Sequence, residues 1–129
     1  MQGLGEFAAF FGMGLGFMLL YVVLYLYATP HREITLIRGD NLPAAVVLAG
    51  ALLGFALPLS SALRVADGVL HVASWGFIAL AAQLAAYALV ALLLKDFSKR
   101  INRGEMAAAV LAAAIHVSVG LMNSAAMNY

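Results

Sequence analysis

The stretch NLPAAVVLAGALLGFALPLSSAL, residues 41–63, decides the fold of this chain. It begins with a polar residue, continues as a long apolar run, and ends with a proline and two serines. A similar stretch, EMAAAVLAAAIHVSVGLMNSAAM, occupies residues 105–127. At an offset of 64 positions, the residues of the first stretch that recur in the second are Ala44, Ala45, Val46, Ala49, Leu57, Ser60 and Ala62. The offset predicts two tandem repeats, residues 1–64 and 65–129, each a pair of membrane helices.

The composition indicates that lipid is the solvent of this chain. Of its 129 residues, 65% are hydrophobic and 10% are charged, whereas a soluble domain carries about 25% charged residues. The net charge of +1 gives no indication of nucleic acid binding. The absence of cysteine excludes disulfides, thiol catalysis and Cys-ligated metals. We therefore expect the lipid bilayer as the first partner, no nucleic acid, and neither a cofactor nor a metal.

Four apolar runs are long enough to cross a bilayer of ~30 Å as helices that rise ~1.5 Å per residue. Helices satisfy every backbone polar group inside lipid, and the alternating pattern of membrane strands is absent from the sequence. The sequence therefore predicts an all-α fold, a transmembrane four-helix bundle built from two parallel two-helix repeats. The predicted spans are Phe7–Ala28, Leu42–Leu63, Val72–Leu94 and Met106–Met127.

The distribution of basic residues predicts the orientation. The connections 29–41 and 95–105 carry six of the seven basic residues, and the opposite side carries only Arg64. Cytoplasmic connections are enriched in lysine and arginine, so both termini are expected outside and Tyr25 and Tyr27 at the inner boundary. The N-terminus lacks a basic segment and is expected to remain as the first span. The predicted cytoplasmic basic surface, open to a membrane-associated protein partner, consists of Arg32, Arg38, Lys95, Lys99, Arg100 and Arg103.

Each cytoplasmic connection is interpreted either as a short helix on the membrane surface or as a solvated loop that only sets the topology. Thr29-Pro30 is typical of a helix start. Phe97 and Ile101 are four residues apart, as on one helix face. Two similar tripeptides follow, and their glycines are expected to end the helices in a left-handed conformation. The tripeptides are Arg38-Gly39-Asp40 and Arg103-Gly104-Glu105, and their alignment needs one residue deleted from the second copy.

Two glycine pairs predict close contacts between helices. Gly12 and Gly16 are four residues apart in the first span, as are Gly50 and Gly54 in the second. Small residues let helix backbones approach closely, and this packing stabilises helix pairs in lipid. Such pairs indicate packing and not a function. Because four short helices enclose little volume, a homo-oligomer is also expected.

Gln83 and His116 lie near the middle of the third and fourth predicted spans. A polar side chain in hydrocarbon needs a partner or water. One interpretation is a structural hydrogen bond between these two side chains across adjacent helices. The alternative is a proton relay or ligand contact at His116, because imidazole titrates near neutral pH.

A second polar group lies toward the outer ends of the second and fourth spans. Pro58 lacks a backbone donor and displaces the carbonyl of Gly54. Either the neighbouring side chains satisfy that carbonyl and one another, which locks the bundle, or the carbonyl and Asn123 bind a cation or a small polar solute. The repeat places Ser60 and Ser124 at equal depth. The candidate residues of this group are Pro58, Ser60, Ser61, Asn123 and Ser124.

A catalytic site is not indicated by the sequence. All six carboxylates lie at span ends or in connections, and the three histidines lie at the inner surface, the outer surface and the midplane. Phosphate-binding loops and nucleophile motifs are absent from the sequence. We therefore expect the protein not to be an enzyme.

The first stretch, together with WGFIALAAQL at residues 75–84 and GLMNSAAM at residues 120–127, resembles the YjfL-like family of small bacterial inner-membrane proteins. That family has a duplicated two-helix domain of unknown function. The resemblance covers nearly the whole chain and includes Gln83 and Asn123 but not His116. It implies four spans, an inner-membrane location and an association with envelope stress. It implies no activity.

Two functional hypotheses remain open from the sequence. The first is a non-enzymatic integral membrane protein that acts through membrane or cytoplasmic partners, using its helix faces and the basic surface. The second is a small channel or transporter for a proton, a cation or a small polar solute. Its lining would include Ser60, Gln83, His116 and Asn123.

Overall fold

The computed structural model describes residues 2–29 and 33–127, with the side chain of residue 2 left aside. This part of the chain is helical throughout, apart from short connections, and contains no strand. Two short helices separate four long ones, in the order α1 Gln2–Ala28, α2 Glu33–Arg38, α3 Leu42–Val65, α4 Val69–Leu93, α5 Phe97–Asn102 and α6 Met106–Ala126.

Four of the described helices are long and apolar enough to cross a membrane. The predicted spans are confirmed, with earlier starts for two of them: α1 begins at Gln2 rather than Phe7, and α4 at Val69 rather than Val72. The predicted all-α four-helix bundle is therefore the observed fold. The candidate spans are Gly3–Ala28, Leu42–Val65, Val69–Leu93 and Met106–Ala126.

Burial is inverted relative to a soluble protein. Gln83 and His116 are completely buried, whereas the side chains of Leu70 and Leu92 are 81% and 84% exposed. In water, an outer surface covered by large apolar side chains would be unfavourable. In a bilayer the same surface contacts acyl chains, and the polar side chains avoid the hydrocarbon by facing inward. The burial pattern is that of an integral membrane protein.

The helix α3 lies at the centre of the bundle and contacts all five other helices. Its closest crossing is with α6. A Cβ atom added to Gly50 would lie 2.6 Å from both Cα and Cβ of Ala113. One turn further, Gly54 lies directly against the backbone carbonyl of His116, and Gly120 against the carbonyl of Gly54. The backbones of α3 and α6 are therefore in direct contact, as small residues allow.

The two glycine pairs predicted to pack behave differently. Gly50 and Gly54 lie at the α3–α6 crossing. Gly12 and Gly16 are exposed, and a Cβ atom added to either would meet nothing within 4 Å. Gly12 and Gly16 therefore do not contact another helix of this chain, and their packing against a second copy stays a prediction. The α1 helix instead docks through aromatic rings, because Phe17 fills the space above Gly76 and Tyr21 stacks on Phe55 at 4.7 Å between ring centroids.

We call the connections 29–41 and 95–105, which are predicted to face the cytoplasm, the inner connections. Both contain a short helix, as one of the two interpretations predicted, and the position of these helices on a membrane surface stays a prediction. Phe97 and Ile101 of α5 are buried against the bundle. The expected left-handed residue is correct for Gly104, at φ +80°, but wrong for Gly39, because Asp40 adopts φ +66° instead. Aspartate tolerates this conformation better than most residues. The start predicted at Thr29-Pro30 lies partly outside the described residues.

The turns that end α2 and α5 have the same hydrogen-bond pattern. The amide of Asp40 donates to the carbonyl of Ile37 at 2.9 Å, and the amide of Gly104 donates to that of Ile101 at 3.0 Å. Both residues of the second turn stand 64 positions after those of the first. The turns therefore match without the deletion that the tripeptides required. The superposition of the two whole repeats stays a prediction.

Asn41 joins the two inner connections. Its Oδ1 accepts a hydrogen bond from the amide of Ala44 at 2.9 Å, which caps the start of α3. Its Nδ2 donates to the carbonyl of Ile101 at 3.1 Å. This one side chain thus provides a hydrogen-bond acceptor for a free amide in the first turn of α3 and connects the start of α3 to α5.

Candidate functional site

Five polar side chains meet inside the bundle, on the side of the α3–α6 crossing that faces the inner connections. None of them is more than 1% exposed. They come from four helices: α1, α2, α4 and α6. We name this group the inner polar cluster, and its members are Tyr21, Tyr25, Glu33, Gln83 and His116.

The direction of the helices brings the aromatic members together. Side chains tilt toward the N-terminus of their helix. The α1 helix runs toward the inner connections, so the side chain of Tyr25 tilts away from them, toward the bundle centre. The α6 helix runs in the opposite direction, so the side chain of His116 tilts toward the inner connections and meets Tyr25. Their ring centroids are 5.8 Å apart with the planes nearly perpendicular. Tyr21 extends the group along α1, and its ring centroid lies 5.9 Å from that of Tyr25.

Gly54 makes room for the amide of Gln83. A Cβ atom at position 54 would lie 2.8 Å from Oε1 of Gln83 and against the carbonyl of His116. Although both side chains border Gly54, neither side-chain nitrogen of His116 and neither polar atom of Gln83 has a hydrogen-bond partner among the described residues. The predicted hydrogen bond between Gln83 and His116 is therefore wrong.

The tyrosine hydroxyls are in a similar position. Those of Tyr21 and Tyr25 are buried without a hydrogen bond of normal geometry in the described part of the chain. Both lie close enough to the carboxylate of Glu33 to interact with it electrostatically. A buried polar group without a hydrogen bond costs about 1–3 kcal/mol, and proteins usually meet such groups with water or a ligand. Imidazole, phenol and carboxylate groups each accept or release protons, so the chemistry of this cluster is compatible with proton binding.

Three members of this cluster, Tyr21, Tyr25 and Glu33, are not predicted from the sequence as site residues. Glu33 was counted among the carboxylates of the connections, and Tyr25 was assigned to the membrane boundary together with Tyr27. The structure buries Tyr25 completely and leaves Tyr27 87% exposed. The four-residue spacing of Tyr21 and Tyr25 was the available signal, because it places both rings on one face of α1.

A second group, which we name the outer polar cluster, lies beyond the α3–α6 crossing. The hydroxyl groups of Ser61 and Ser124 form a hydrogen bond between α3 and α6. The guanidinium of Arg64 donates to Ser60 Oγ and to Ser61 Oγ, both at 3.1 Å. The partner of Ser124 is thus Ser61, the neighbour of the residue that the repeat places at the same depth. The members are Ser60, Ser61, Arg64 and Ser124.

The carbonyl displaced by Pro58 is not part of the outer polar cluster. Pro58 is buried inside α3, and the carbonyl of Gly54, one turn before it, lies against Gly120. Asn123 was expected near this carbonyl. Its Nδ2 is buried without a hydrogen-bond partner among the described residues. Ser61 and Ser124 therefore form a hydrogen bond with each other, which is one part of the locking interpretation. The other part, a side chain bonded to the Gly54 carbonyl, is not observed among the described residues.

Part of the basic surface is neutralised within the protein. Glu105 accepts hydrogen bonds from Arg100 Nε at 2.9 Å and from Arg103 Nε at 2.7 Å. The hydrogen bond from Arg100, followed by that from Arg103, holds the pKa of Glu105 below its ordinary value. Arg32 lies outside the described residues. The remaining predicted members of the surface are exposed: Arg38, Lys95 and Lys99.

Comparison with known proteins establishes the family. The family described as Domain of Unknown Function (DUF350) matches residues 1–127. The UPF0719 inner membrane protein YjfL of Escherichia coli (strain K12) is 33% identical over 129 residues, which cover 100% of this chain and 98% of that protein. The protein of the same name from Escherichia coli O157:H7 matches equally. No solved structure matches the chain. The chain therefore belongs to the DUF350 family and is a multi-pass protein of the bacterial inner membrane.

Proposed function

We propose that the protein is a small, non-enzymatic proton channel or transporter, and that the inner polar cluster is where protons enter and bind. One observation carries the proposal. Gln83 and His116 are completely buried together with Tyr21 and Tyr25, and neither the side-chain nitrogens of His116 nor the polar atoms of Gln83 have a hydrogen-bond partner among the described residues. Structural polar contacts in a membrane bundle would leave these atoms paired.

The chemistry of the cluster favours protons over metal cations. Imidazole, phenol and carboxylate groups accept or release protons. A side-chain amide both donates and accepts hydrogen bonds, so it can orient water molecules. The only carboxylate of the cluster is Glu33, which lies at its inner end in α2. A metal cation at the level of His116 would have no negative charge beside it and would be costly in hydrocarbon. A proton carried by water and by His116 requires no such partner.

The α3–α6 crossing closes the path in this conformation. Gly54 and Gly120 bring the two backbones into direct contact between the inner and outer polar clusters. Transfer to the outer side then requires α3 and α6 to separate. Pro58 facilitates this movement, because it leaves the carbonyl of Gly54 without its usual donor within the helix. The orientation with periplasmic termini would make Glu33 the cytoplasmic entrance.

Proton flux into liposomes tests the proposal. The purified protein is reconstituted with an internal pH dye, and a potassium diffusion potential drives the flux. We expect acidification by the wild type, reduced at least about tenfold by Glu33→Gln and by His116→Phe, since each removes a group that relays protons. Glu105→Gln is the matched control, because it removes a carboxylate on the same side but outside the cluster. If liposomes with the wild-type protein acidify no faster than protein-free liposomes, the proposal is overturned.

We propose partner binding at the inner surface as a second function. Its support is the exposure of Arg38, Lys95 and Lys99, which lie on the two connections and are available to an acidic protein. An envelope-stress protein that binds there would connect the module to that response. Co-purification from native membranes should recover a partner with the wild type and lose it when these three residues become Gln. An identical set of proteins from both samples would contradict this second proposal.

A further inference from the structure

A groove runs between α1 and α3 at the end of the bundle where α3 finishes. Its volume is about 630 Å³, which is within the range of small-molecule sites. The walls are apolar over most of their length, with Phe10, Leu15 and Met18 on α1 and Leu59 and Leu63 on α3. The groove therefore has the lining of a site for a hydrocarbon chain.

The mouth of the groove is polar and carries both signs of charge. Glu6 and Arg64 line it from opposite helices, together with Ser60. Arg64 is positioned by its hydrogen bonds to Ser60 and Ser61. These bonds leave further N–H groups of the guanidinium free to bind an anion. Glu6 and Arg64 form no ion pair with each other, although both are described residues of the same cavity.

We propose that this groove binds one phospholipid with a zwitterionic, amine-bearing headgroup. Its phosphate contacts Arg64, its ammonium group contacts Glu6, and one acyl chain lies between the aromatic and aliphatic walls. The phosphate contact is of the strong, charge-assisted kind.

The depth of the groove agrees with this occupant. From Glu6 near the membrane boundary to Met18, α1 rises about 18 Å at 1.5 Å per residue. One leaflet of the hydrocarbon core is about 15 Å thick. The charged mouth therefore lies at headgroup level, and the end of the groove at Met18 lies near the bilayer midplane. An anionic headgroup would match Arg64 but would bring negative charge beside Glu6, so the pair of charges distinguishes between lipids.

Native mass spectrometry of the full chain in detergent tests the site. The probes are phosphatidylethanolamine and phosphatidylglycerol with identical acyl chains, titrated separately. We expect phosphatidylethanolamine to bind roughly tenfold more tightly, the factor that corresponds to about 1.4 kcal/mol. Glu6→Gln should remove the difference between the lipids, and Arg64→Gln should weaken both. Ala56→Trp fills the groove from α3 and should abolish the specific binding.

Ala114→Trp is the matched control, because Ala114 is exposed on α6 away from the groove. This variant should bind phosphatidylethanolamine as the wild type does. It also controls for a general effect of an added tryptophan on folding. Equal binding of the two lipids by the wild type would overturn the proposal, as would binding that survives Ala56→Trp. A second copy of the chain that displaces lipid from the groove would overturn it too. The result is independent of proton flux, since Ala56 is not part of the inner polar cluster.

Discussion

The crossing of α3 and α6 can be tested by placing a methyl group at Gly54. Its Cβ atom would collide with the carbonyl of His116 and lie 2.8 Å from Oε1 of Gln83. The carbonyl belongs to a helix backbone, so relief requires the two helices to move apart and not a change of rotamer. Overpacking of this kind costs about 1–3 kcal/mol. We expect Gly54→Ala to lower the free energy of unfolding by that amount, toward its upper end.

Gly12→Ala is the matched control, because Gly12 belongs to a pair with the same spacing in α1. A methyl group there meets nothing within 4 Å, so the variant should be neutral or slightly stabilising, as alanine favours helices. Both variants can be compared by reversible unfolding in mixed micelles of increasing dodecyl sulfate content, followed by circular dichroism. Equal stability of the two variants, or greater loss with Gly12→Ala, would refute the assignment of the α3–α6 contact.

Three further outcomes are expected from contacts outside the inner polar cluster. Ser61→Cys with Ser124→Cys should form an intramolecular disulfide in this otherwise cysteine-free chain, seen as an oxidant-dependent gel shift, since their hydroxyls touch; a pair that stays reduced would contradict the contact. Asn41→Ala should lower stability by about 1–2 kcal/mol through loss of the cap and the tie to α5, whereas Asn41→Asp should retain the cap; equal losses in dodecyl sulfate unfolding would argue against this. The lowered pKa of Glu105 means that its ion pairs stabilise the fold above the ordinary value of 4.5 and lose this effect as pH falls through the lowered pKa. Arg100→Gln should raise that pKa in a carbon-13 NMR titration of the carboxyl group, and an unchanged titration would exclude Arg100 as its main cause.

The spans could be predicted from the sequence because the signal for them is strong. A run of more than twenty apolar residues that crosses a bilayer forms an α-helix, because a helix satisfies its own backbone hydrogen bonds inside lipid. In the two inner turns, Asp40 and Gly104 occupy equivalent left-handed positions that are 64 residues apart, whereas the sequence prediction aligned these turns with a one-residue deletion. The tripeptide letters were misleading there, because they matched Gly39 with Gly104.

The contacts could not be predicted from spacing alone. Gly12 with Gly16 and Gly50 with Gly54 have the same spacing, and only the rotation of each helix in the bundle decides which pair meets a neighbour. Rotation depends on packing against all other helices, which a single sequence does not specify.

The candidate site shows the same limit. Gln83 and His116 were found because a polar residue in an apolar run is conspicuous. Glu33 belongs to a short helix between spans, where a carboxylate is ordinary, and Tyr25 stands where an interfacial tyrosine is ordinary. The burial of Glu33 depends on the way α2 packs on α3, and the burial of Tyr25 depends on the rotation of α1 toward His116, and no local pattern indicates either of them.

The direct test of the inner polar cluster is whether His116 contacts water inside the bundle. Solid-state NMR of the protein with nitrogen-15 histidine in liposomes can detect magnetisation transfer from water protons to the imidazole, and His116→Phe identifies the signal among the three histidines. We expect transfer to the His116 ring and exchange of its N–H in deuterated buffer, because its nitrogens have no hydrogen-bond partner among the described residues. A His116 ring with no water contact and a protected N–H would contradict the proton pathway.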